Sequence, residues 1–318
     1  MAESLHDFMK VGIIHFMAFP QCGGGDGPIA ETFRTLALDP FFDVIEVTQV
    51  KDPAARKQVR AIAEQARVDI PFGAQPILLG GKLDLNSPDV AARQKAIDAI
   101  KAAIDEAAEL ESDALAVLSG PVTEDRGAAM GRLVDSLKQL CAYGKPKGIR
   151  IVLETFDQVP YGKNCLIGPT EDAVKVSEAV REEYPDFGLL LDLSHLPLLA
   201  ESSKHAIKAA GKHLVHVHIG NCAMDDASHP AYGDNHPRFG APGTRNDVPE
   251  LVQFLMVLLD SGFLRRDERR IVSFEVKPMA GEDAEAVVAG SKRTLIEAWR
   301  RLEQEGHLAA ILAAAMTV

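Results

Sequence analysis

The sequence lacks the features that mark secreted, membrane and nucleic-acid-binding proteins. It has 34 Lys and Arg residues against 46 Asp and Glu, and a net charge of −12 argues against a partner with a phosphate backbone. Its four cysteines are widely spaced and form no Cys-x-x-Cys pair, which favours a reduced compartment. No run approaches 18 apolar residues, and the first residues do not resemble a signal peptide. We therefore expect a cytoplasmic protein without a membrane or nucleic-acid partner.

A dinucleotide-binding turn and an interdomain linker are also missing. The glycines Gly23 to Gly25 and Gly27 do not fit G-x-G-x-x-G, which disfavours a doubly wound sheet. Short apolar runs instead alternate with amphipathic segments. The runs lie near residues 10–17, 42–47, 70–76, 114–118, 149–154, 187–192, 213–219 and 271–276. Eight such units without a Pro/Gly/Ser linker predict an α/β protein, a single (β/α)₈ TIM barrel domain spanning residues 1–318.

Two local patterns extend this prediction. Ser87-Pro88 predicts the start of the helix after the third strand, with Ser87 as the N-cap. The Ala- and Leu-rich segment from Gly306 to Val318 predicts an additional C-terminal helical tail, packed on the barrel or on a partner subunit. We expect a homo-oligomer, with a hetero-oligomer as the alternative.

Four polar residues stand where predicted strands give way to loops. They are Glu154 in IVLETFD, Asp192 in LLLDLSH, His218 in HVHIGN and Glu275 in IVSFEVKP. In a TIM barrel the carboxyl ends of the strands meet at the catalytic face, so these residues can converge there. Three carboxylates and an imidazole form a ligand set that suits Mn²⁺, Mg²⁺, Co²⁺ or Zn²⁺. The sequence therefore predicts one divalent metal ion bound by these four residues.

Other polar residues lie close to these strand ends. Asp192 begins a D-x-x-H that ends at His195, and His216 shares one strand face with His218. A single such histidine is commonly a core residue satisfied by a backbone carbonyl, but the combination is hard to obtain from packing alone. We expect His216 to lie deeper in the barrel, as support for His218. Lys277 could hold a sugar oxygen or an anion, or it could be a solvated lysine.

Nearly the whole chain resembles the xylose-isomerase-like TIM barrels, a group that includes sugar isomerases, epimerases and abasic-site endonucleases. The specific part of the resemblance runs from Glu154 to the SFEVKP segment. The resemblance also covers Asp192-x-x-His195, His218-Ile-Gly-Asn and GAPGTRNDV. In its ketose 3-epimerases, the residues matching the four predicted ligands bind one divalent ion. Those matching Glu154 and Glu275 are also the acid/base pair, and the residue matching His195 contacts substrate oxygens.

The resemblance implies a metal-dependent isomerase or epimerase acting on a small-molecule keto sugar. The reaction would proceed by α-proton abstraction through a metal-stabilised enediolate. Mn²⁺ is the first expectation for the ion, with Co²⁺, Mg²⁺ and Zn²⁺ as alternatives.

The endonuclease branch is a remote alternative. Asp234-Asn235-His236 resembles the D-x-H zinc motif of that branch, which also needs histidines near the ends of the third and fourth strands. Here the matching stretches, PFGAQPILLGG and LAVLSGP, contain no histidine and offer Gln75 and Ser119. Asp234 and His236 could instead form part of a substrate pocket, a second metal site or a polar surface loop.

One departure from the ketose 3-epimerase pattern concerns the substrate. Those enzymes have an arginine six residues after the histidine ligand, where this chain has Met224. Arg238, in the longer loop 222–240, could take its place. The departure suggests a bulkier or pre-oxidised sugar and leaves open a lyase that resembles C-glycoside deglycosidase subunits and eliminates an aglycone from a 3-keto glycoside. A non-catalytic metal-binding protein is the third alternative.

Overall fold

The computed structural model describes residues 3–304 and 306, in which eight parallel strands form a barrel. The strands are β1 (Met9–Ile14), β2 (Val44–Glu46), β3 (Phe72–Gly73), β4 (Ala114–Val117), β5 (Arg150–Glu154), β6 (Gly188–Asp192), β7 (Leu214–Gly220) and β8 (Arg270–Glu275). They pair in the order β2-β1-β8-β7-β6-β5-β4-β3. Backbone hydrogen bonds between the β2 and β3 segments, such as Gly73 N to Val47 O at 2.7 Å, close the remaining gap. The predicted TIM barrel is confirmed.

Helices lie between the strands in chain order. They are α1 (His15–Ala18), α2 (Ile29–Ala37), α3 (Pro53–Ala66), α4 (Gln75–Gly81), α5 (Val90–Glu109), α6 (Arg126–Gly144), α7 (Thr170–Arg181), α8 (His195–Leu198), α9 (Ser203–Ala210), α10 (Val248–Asp260) and α11 (Ala284–Gln304). Short 3₁₀ helices lie at Leu5–Asp7, Pro20–Cys22, Lys145–Lys147 and Gly211–His213. Apart from Gly306, the predicted C-terminal tail lies outside the described residues. The assignment of residues 1–318 to one domain stays a prediction.

The start of α5 differs from the sequence prediction. Asp89, not Ser87, is the N-cap, because its Oδ1 accepts a hydrogen bond from Ala92 N at 2.9 Å. Ser87 caps the preceding turn through a bond from Asp89 N to its Oγ at 3.2 Å. Ser87 and Asp89 flank Pro88 and are both good capping residues, and Asp89, which directly precedes the apolar positions of α5, begins the helix.

The first and third strands are shorter than predicted, and this matters for the site. β1 ends at Ile14, so Phe16 and Met17 belong to α1 at the mouth of the barrel. β3 ends at Gly73, and Gln75 begins α4. The predicted strands were too long because these residues line the mouth of the barrel and continue the apolar pattern, although they are not in strand conformation.

Alternation along the strands explains how polar groups reach the barrel interior. Side chains two residues apart point to the same face of a strand, so Glu154 follows Val152 and Asp192 follows Leu190. Val152 and Leu190 form, with Ala116, an apolar cluster separate from the main core between strands and helices. The polar residues therefore lie one step above this cluster, at the carboxyl end of the barrel.

His15, the first residue of α1, gives a pH prediction for the fold. It is buried, its Nε2 lies 2.7 Å from Thr32 Oγ1, and burial lowers its pKa to about 4. Since the unfolded chain takes up this proton near the ordinary value of 6.5, the contribution of His15 to stability is complete above 6.5 and is lost as the pH falls toward 4. The loss amounts to about 3 kcal/mol at most. His15→Gln should flatten the pH dependence of the unfolding free energy between these values, and an unchanged slope would contradict the assignment.

Candidate active site

The four predicted metal ligands converge at the carboxyl end of the barrel. Ligand atoms of Glu154, Asp192, His218 and Glu275 lie within 4.8 Å of one another. His218 Nδ1 lies 2.9 Å from Glu275 Oε2 and 3.6 Å from Glu154 Oε1. Glu154, Asp192 and His218 are buried, whereas 12% of the Glu275 side chain is exposed. The arrangement brings three carboxylates and one imidazole around a common point.

In two of these carboxylates, only one of the two oxygens accepts a hydrogen bond. Glu154 Oε2 accepts a bond from Gln75 Nε2 at 2.7 Å, and Asp192 Oδ1 accepts one from Ser194 N at 2.7 Å. The other oxygens, Glu154 Oε1 and Asp192 Oδ2, are buried without a hydrogen-bond partner among the described residues. Leaving carboxylate oxygens unpaired in the interior is costly, and a divalent cation would compensate them. The residues present therefore fit such an ion.

Burial and neighbouring charges set the ionisation of this group. Burial raises the pKa of Asp192, and the attraction of His195 only partly offsets it. Burial alone would also raise the pKa of Glu275, but the neighbouring His236 and His218 outweigh it and lower that pKa. Glu275 is therefore a carboxylate at neutral pH and can accept a proton.

Glu46, at the end of β2, is a residue that the sequence reasoning missed. Its Oε1 lies 2.8 Å from His216 Nε2, and its Oε2 lies 3.3 Å from His218 Nε2. The signal was present in FDVIEV, where an acidic residue ends an apolar run as Glu154 does. His216 lies beside His218, with ring centroids 5.0 Å apart, and binds Glu46.

A second polar cluster surrounds Asp234. Asp234 Oδ1 lies 3.1 Å from His195 Nε2 and 2.7 Å from His236 Nε2. His195 Nδ1 lies 2.6 Å from Thr155 O, which fixes the direction of the ring. His195 is completely buried and does not line the cavity at the mouth of the barrel, although the family resemblance implies that it contacts substrate oxygens. Asp192, His195 and His236 could also hold a cation.

Two lysines line the cavity that lies above the four predicted ligands. Lys163, in the loop after β5, pairs with Asp234, and its Nζ lies 4.6 Å from the centroid of the Phe156 ring. Burial would lower the pKa of Lys163, but Asp234 outweighs it and raises that pKa, so the ammonium stays charged. No sequence pattern marked Lys163. Lys277 is half-buried in the wall and has no ion-pair partner within the described part of the chain.

Arg238 is not brought to this site. Its Nε lies 2.8 Å from Glu282 Oε1, 43% of its side chain is exposed, and it lines a different cavity beside α11. The two positions at which the endonuclease branch needs histidines also have other roles. Gln75 holds Glu154, and Ser119 Oγ accepts a bond from Ile167 N at 2.9 Å. A three-zinc centre is thus not supported.

The cavity above the four ligands has a volume of about 200 Å³ and two different sides. The strands β5, β7 and β8 supply the acidic and imidazole groups Glu154, His218 and Glu275. The ends of β1 and β3 and their following helices supply apolar groups, including Ile14, Phe16 and Leu79. A bound molecule therefore meets both ionisable and apolar groups in the cavity wall. Among the described helices, none is both long and apolar enough to cross a bilayer.

Comparisons with known proteins agree with this architecture. The fructoselysine 3-epimerase of Shigella flexneri is 27% identical over 209 residues, 62% of this chain and 73% of that protein. A D-psicose 3-epimerase from Clostridium cellulolyticum H10, solved with D-tagatose, is 20% identical with a TM-score of 0.68, over 90% of this chain and 99% of that one. An L-ribulose 3-epimerase is 17% identical with a TM-score of 0.72, over 95% and 98% of the two chains. At such identities the two solved structures show a shared fold.

A family model provides the assignment that the structural likenesses alone do not. The model of the xylose isomerase-like TIM barrel matches residues 38–302, which include the four converging residues. The chain belongs to the xylose isomerase-like TIM barrel family.

Proposed function

We propose that this protein is a divalent-metal-dependent isomerase or epimerase that acts on a keto sugar or a keto sugar derivative. The observation that carries the proposal is the convergence of Glu154, Asp192, His218 and Glu275 below the cavity. Two carboxylate oxygens of this group, Glu154 Oε1 and Asp192 Oδ2, have no hydrogen-bond partner among the described residues. The fructoselysine 3-epimerase relative, by its name, catalyses a reaction of this class.

In this proposal the four residues hold one ion. Mn²⁺ is our first choice, with Co²⁺, Mg²⁺ and Zn²⁺ as alternatives, because oxygen-rich sets with one imidazole accept all of them. When bound, the ion would polarise the substrate carbonyl and stabilise negative charge as the α-hydrogen leaves. Gln75 and Ser194 N orient the carboxylates so that their unpaired oxygens face the ion.

Glu154 and Glu275 are the proposed acid/base pair. They end β5 and β8, which are separated by β6 and β7 in the barrel, so they reach a bound sugar from different directions. One carboxylate removes a proton from one face of the α-carbon, and the other returns a proton to the opposite face or to the neighbouring carbon. The first outcome is epimerisation and the second is aldose–ketose isomerisation.

The substrate contacts that we propose come from the cavity wall. Lys277 and His236 line it and can bind sugar oxygens, and the ammonium of Lys277 can also bind an anionic group. His195 acts through Asp234, because it is buried behind the wall. We leave Arg238 out of the proposed site because it pairs with Glu282 elsewhere.

Exchange of hydrogen with solvent tests this function. We expect the metal-supplemented protein to incorporate deuterium from D₂O at the α-carbon of its substrate, in a screen of free ketoses, 3-keto glucosides and inososes. The reason is that a proton held by a carboxylate near the cavity can exchange with water before it returns to carbon. Mass spectrometry of product and recovered substrate measures the label. Turnover without any label would indicate a hydride shift and would leave the two glutamates as metal ligands only.

Elimination of an aglycone is not favoured by the relatives named above, and we do not propose it. A cytoplasmic location and a homo-oligomeric state remain predictions from the sequence.

A further inference from the structure

Glu46 occupies an unusual place in the barrel. It ends β2, and two strands, β1 and β8, separate β2 from β7 in the sheet. Its carboxylate nevertheless contacts two histidines of β7, so the side chain crosses the barrel interior. Glu46 is 2% exposed and is part of the cavity wall. The four ligands proposed above do not include it.

The contacts of Glu46 determine the orientation of His218. The Nε2 of His218 lies 3.3 Å from Glu46 Oε2, while its Nδ1 is directed toward Glu275 and Glu154. Because a carboxylate accepts hydrogen bonds, Nε2 must carry the hydrogen that it shares with Glu46. Nδ1 also faces two carboxylates, and a cation held among them would take the place of the hydrogen on Nδ1 while Nε2 keeps the one that it shares with Glu46.

His216 holds Glu46 in turn. Its Nε2 lies 2.8 Å from Glu46 Oε1, while His218 Nε2 lies 3.3 Å from both oxygens, so the carboxylate of Glu46 contacts two imidazoles. Two partners fix the carboxylate in one rotamer, and a fixed carboxylate fixes the ring that it contacts. The order of support thus runs from His216 to Glu46 and from Glu46 to His218.

We infer that Glu46 is a positioning residue that sets the tautomer and ring orientation of His218, so that Nδ1 faces the metal site. The inference rests on the proposed function, because it assumes an ion bound by His218. Hydrogen-bonded carboxylates behind a histidine ligand raise its basicity and orient it, and their loss typically weakens metal binding by about 10–100-fold. Glu46, His216 and His218 could alternatively hold a separate ion of their own, and the experiment distinguishes this case.

Metal affinity, measured without substrate, tests the inference. The full chain is stripped with a chelator and titrated with Mn²⁺, and free Mn²⁺ is followed by electron paramagnetic resonance. We expect Glu46→Gln to raise the Kd by about 10–100-fold. Glu106→Gln is the matched control. Glu106 is also a buried glutamate, but it accepts a bond from Val50 N and pairs with Arg56, away from the site. Its replacement should leave the Kd unchanged.

A second readout reports the tautomer directly. In the zinc-loaded protein, ¹⁵N spectra of the histidine side chains should show His218 with hydrogen on Nε2, and in Glu46→Gln this state should give way to a mixture. If Glu46→Gln does not fold, His216→Phe keeps a ring of similar size and removes the 2.8 Å contact to Glu46 Oε1, while His218 stays beside Glu46. That variant should weaken Mn²⁺ binding by a smaller factor than the glutamine variant.

The outcomes separate the inference from the proposed function. A wild-type protein that binds one ion, with an equal Kd in the Glu46→Gln or His216→Phe variant, overturns the role of Glu46 and leaves the metal site intact. Two ions in the wild type and one in Glu46→Gln would make Glu46 a ligand and also overturn the inference. A wild type that binds no ion would overturn both.

Discussion

Replacement of Glu275 by glutamine is expected to lower turnover of a keto sugar by at least about a hundredfold at saturating metal, since positioned acid/base groups typically contribute 10²–10⁴-fold. Glutamine keeps the size of the side chain and one ligand oxygen but cannot accept the proton. Because its neighbouring imidazoles lower the pKa of Glu275, the wild-type residue is a carboxylate at neutral pH. The Glu154→Gln variant should lose both turnover and deuterium exchange for the same reason.

The measurement is kcat with a constant excess of Mn²⁺, together with the metal content of each variant. Glu282→Gln is the control, since Glu282 follows Glu275 closely in the chain but pairs with Arg238 outside the cavity. We expect it to keep wild-type activity. Glu275→Gln protein that contains metal and retains more than a tenth of wild-type kcat would refute the acid/base role.

Replacement of Asp192 by asparagine is expected to raise the Kd for the metal by more than about 100-fold. Loss of a residue that only hydrogen-bonds to a ligand typically raises it by about 10–100-fold, and Asp192 is a proposed ligand itself. Asparagine can keep the hydrogen bond from Ser194 N, but it replaces Oδ2, the oxygen that has no hydrogen-bond partner among the described residues. Asp192 is fully buried and its pKa is raised, so removing its charge should not destabilise the metal-free fold.

Thermal unfolding with and without metal measures this effect. At a metal concentration of 1,000 times the wild-type Kd, linkage predicts about 4 kcal/mol of stabilisation for the wild type, and about 1 kcal/mol for a variant whose Kd is a hundredfold higher. Asp84→Asn is the control, because Asp84 is a half-buried loop carboxylate that accepts a bond from Asn86 N away from the site. Equal metal stabilisation of the wild type and Asp192→Asn would remove Asp192 from the ligand set.

The convergence of the four proposed ligands could be predicted because it depends on strand ends and alternation. Glu154, Asp192, His218 and Glu275 each end an apolar run, and the barrel brings such ends to one face. Glu46 carries the same signature but was missed, since a strand end indicates a face and does not name a partner. The histidines that Glu46 contacts, His216 and His218, are 170 and 172 residues away in the sequence.

Loop residues could not be placed in this way. Lys163 and Arg238 both lie in segments without apolar periodicity, and their directions depend on Asp234 and Glu282, which those segments meet only in the folded chain. His195 was assigned to the substrate by family resemblance, yet Asp234 covers it. The boundaries of β1 and β3 were too long because Phe16 and Gln75 are covered by the barrel mouth outside the strands.

In Glu154 and Asp192 one carboxylate oxygen is held by a hydrogen bond and the other is left for an ion, and this affects how the proposed metal site can be altered by substitution. Gln75 and Ser194 N hold one oxygen of Glu154 and of Asp192 without help from an ion, so the coordinating atoms are arranged before any ion arrives. Choice of ion and integrity of the fold are then separate properties of the chain. In the proposed metal site, we expect a substitution at Gln75 to change which cation is preferred while the strands that carry the site remain as they are.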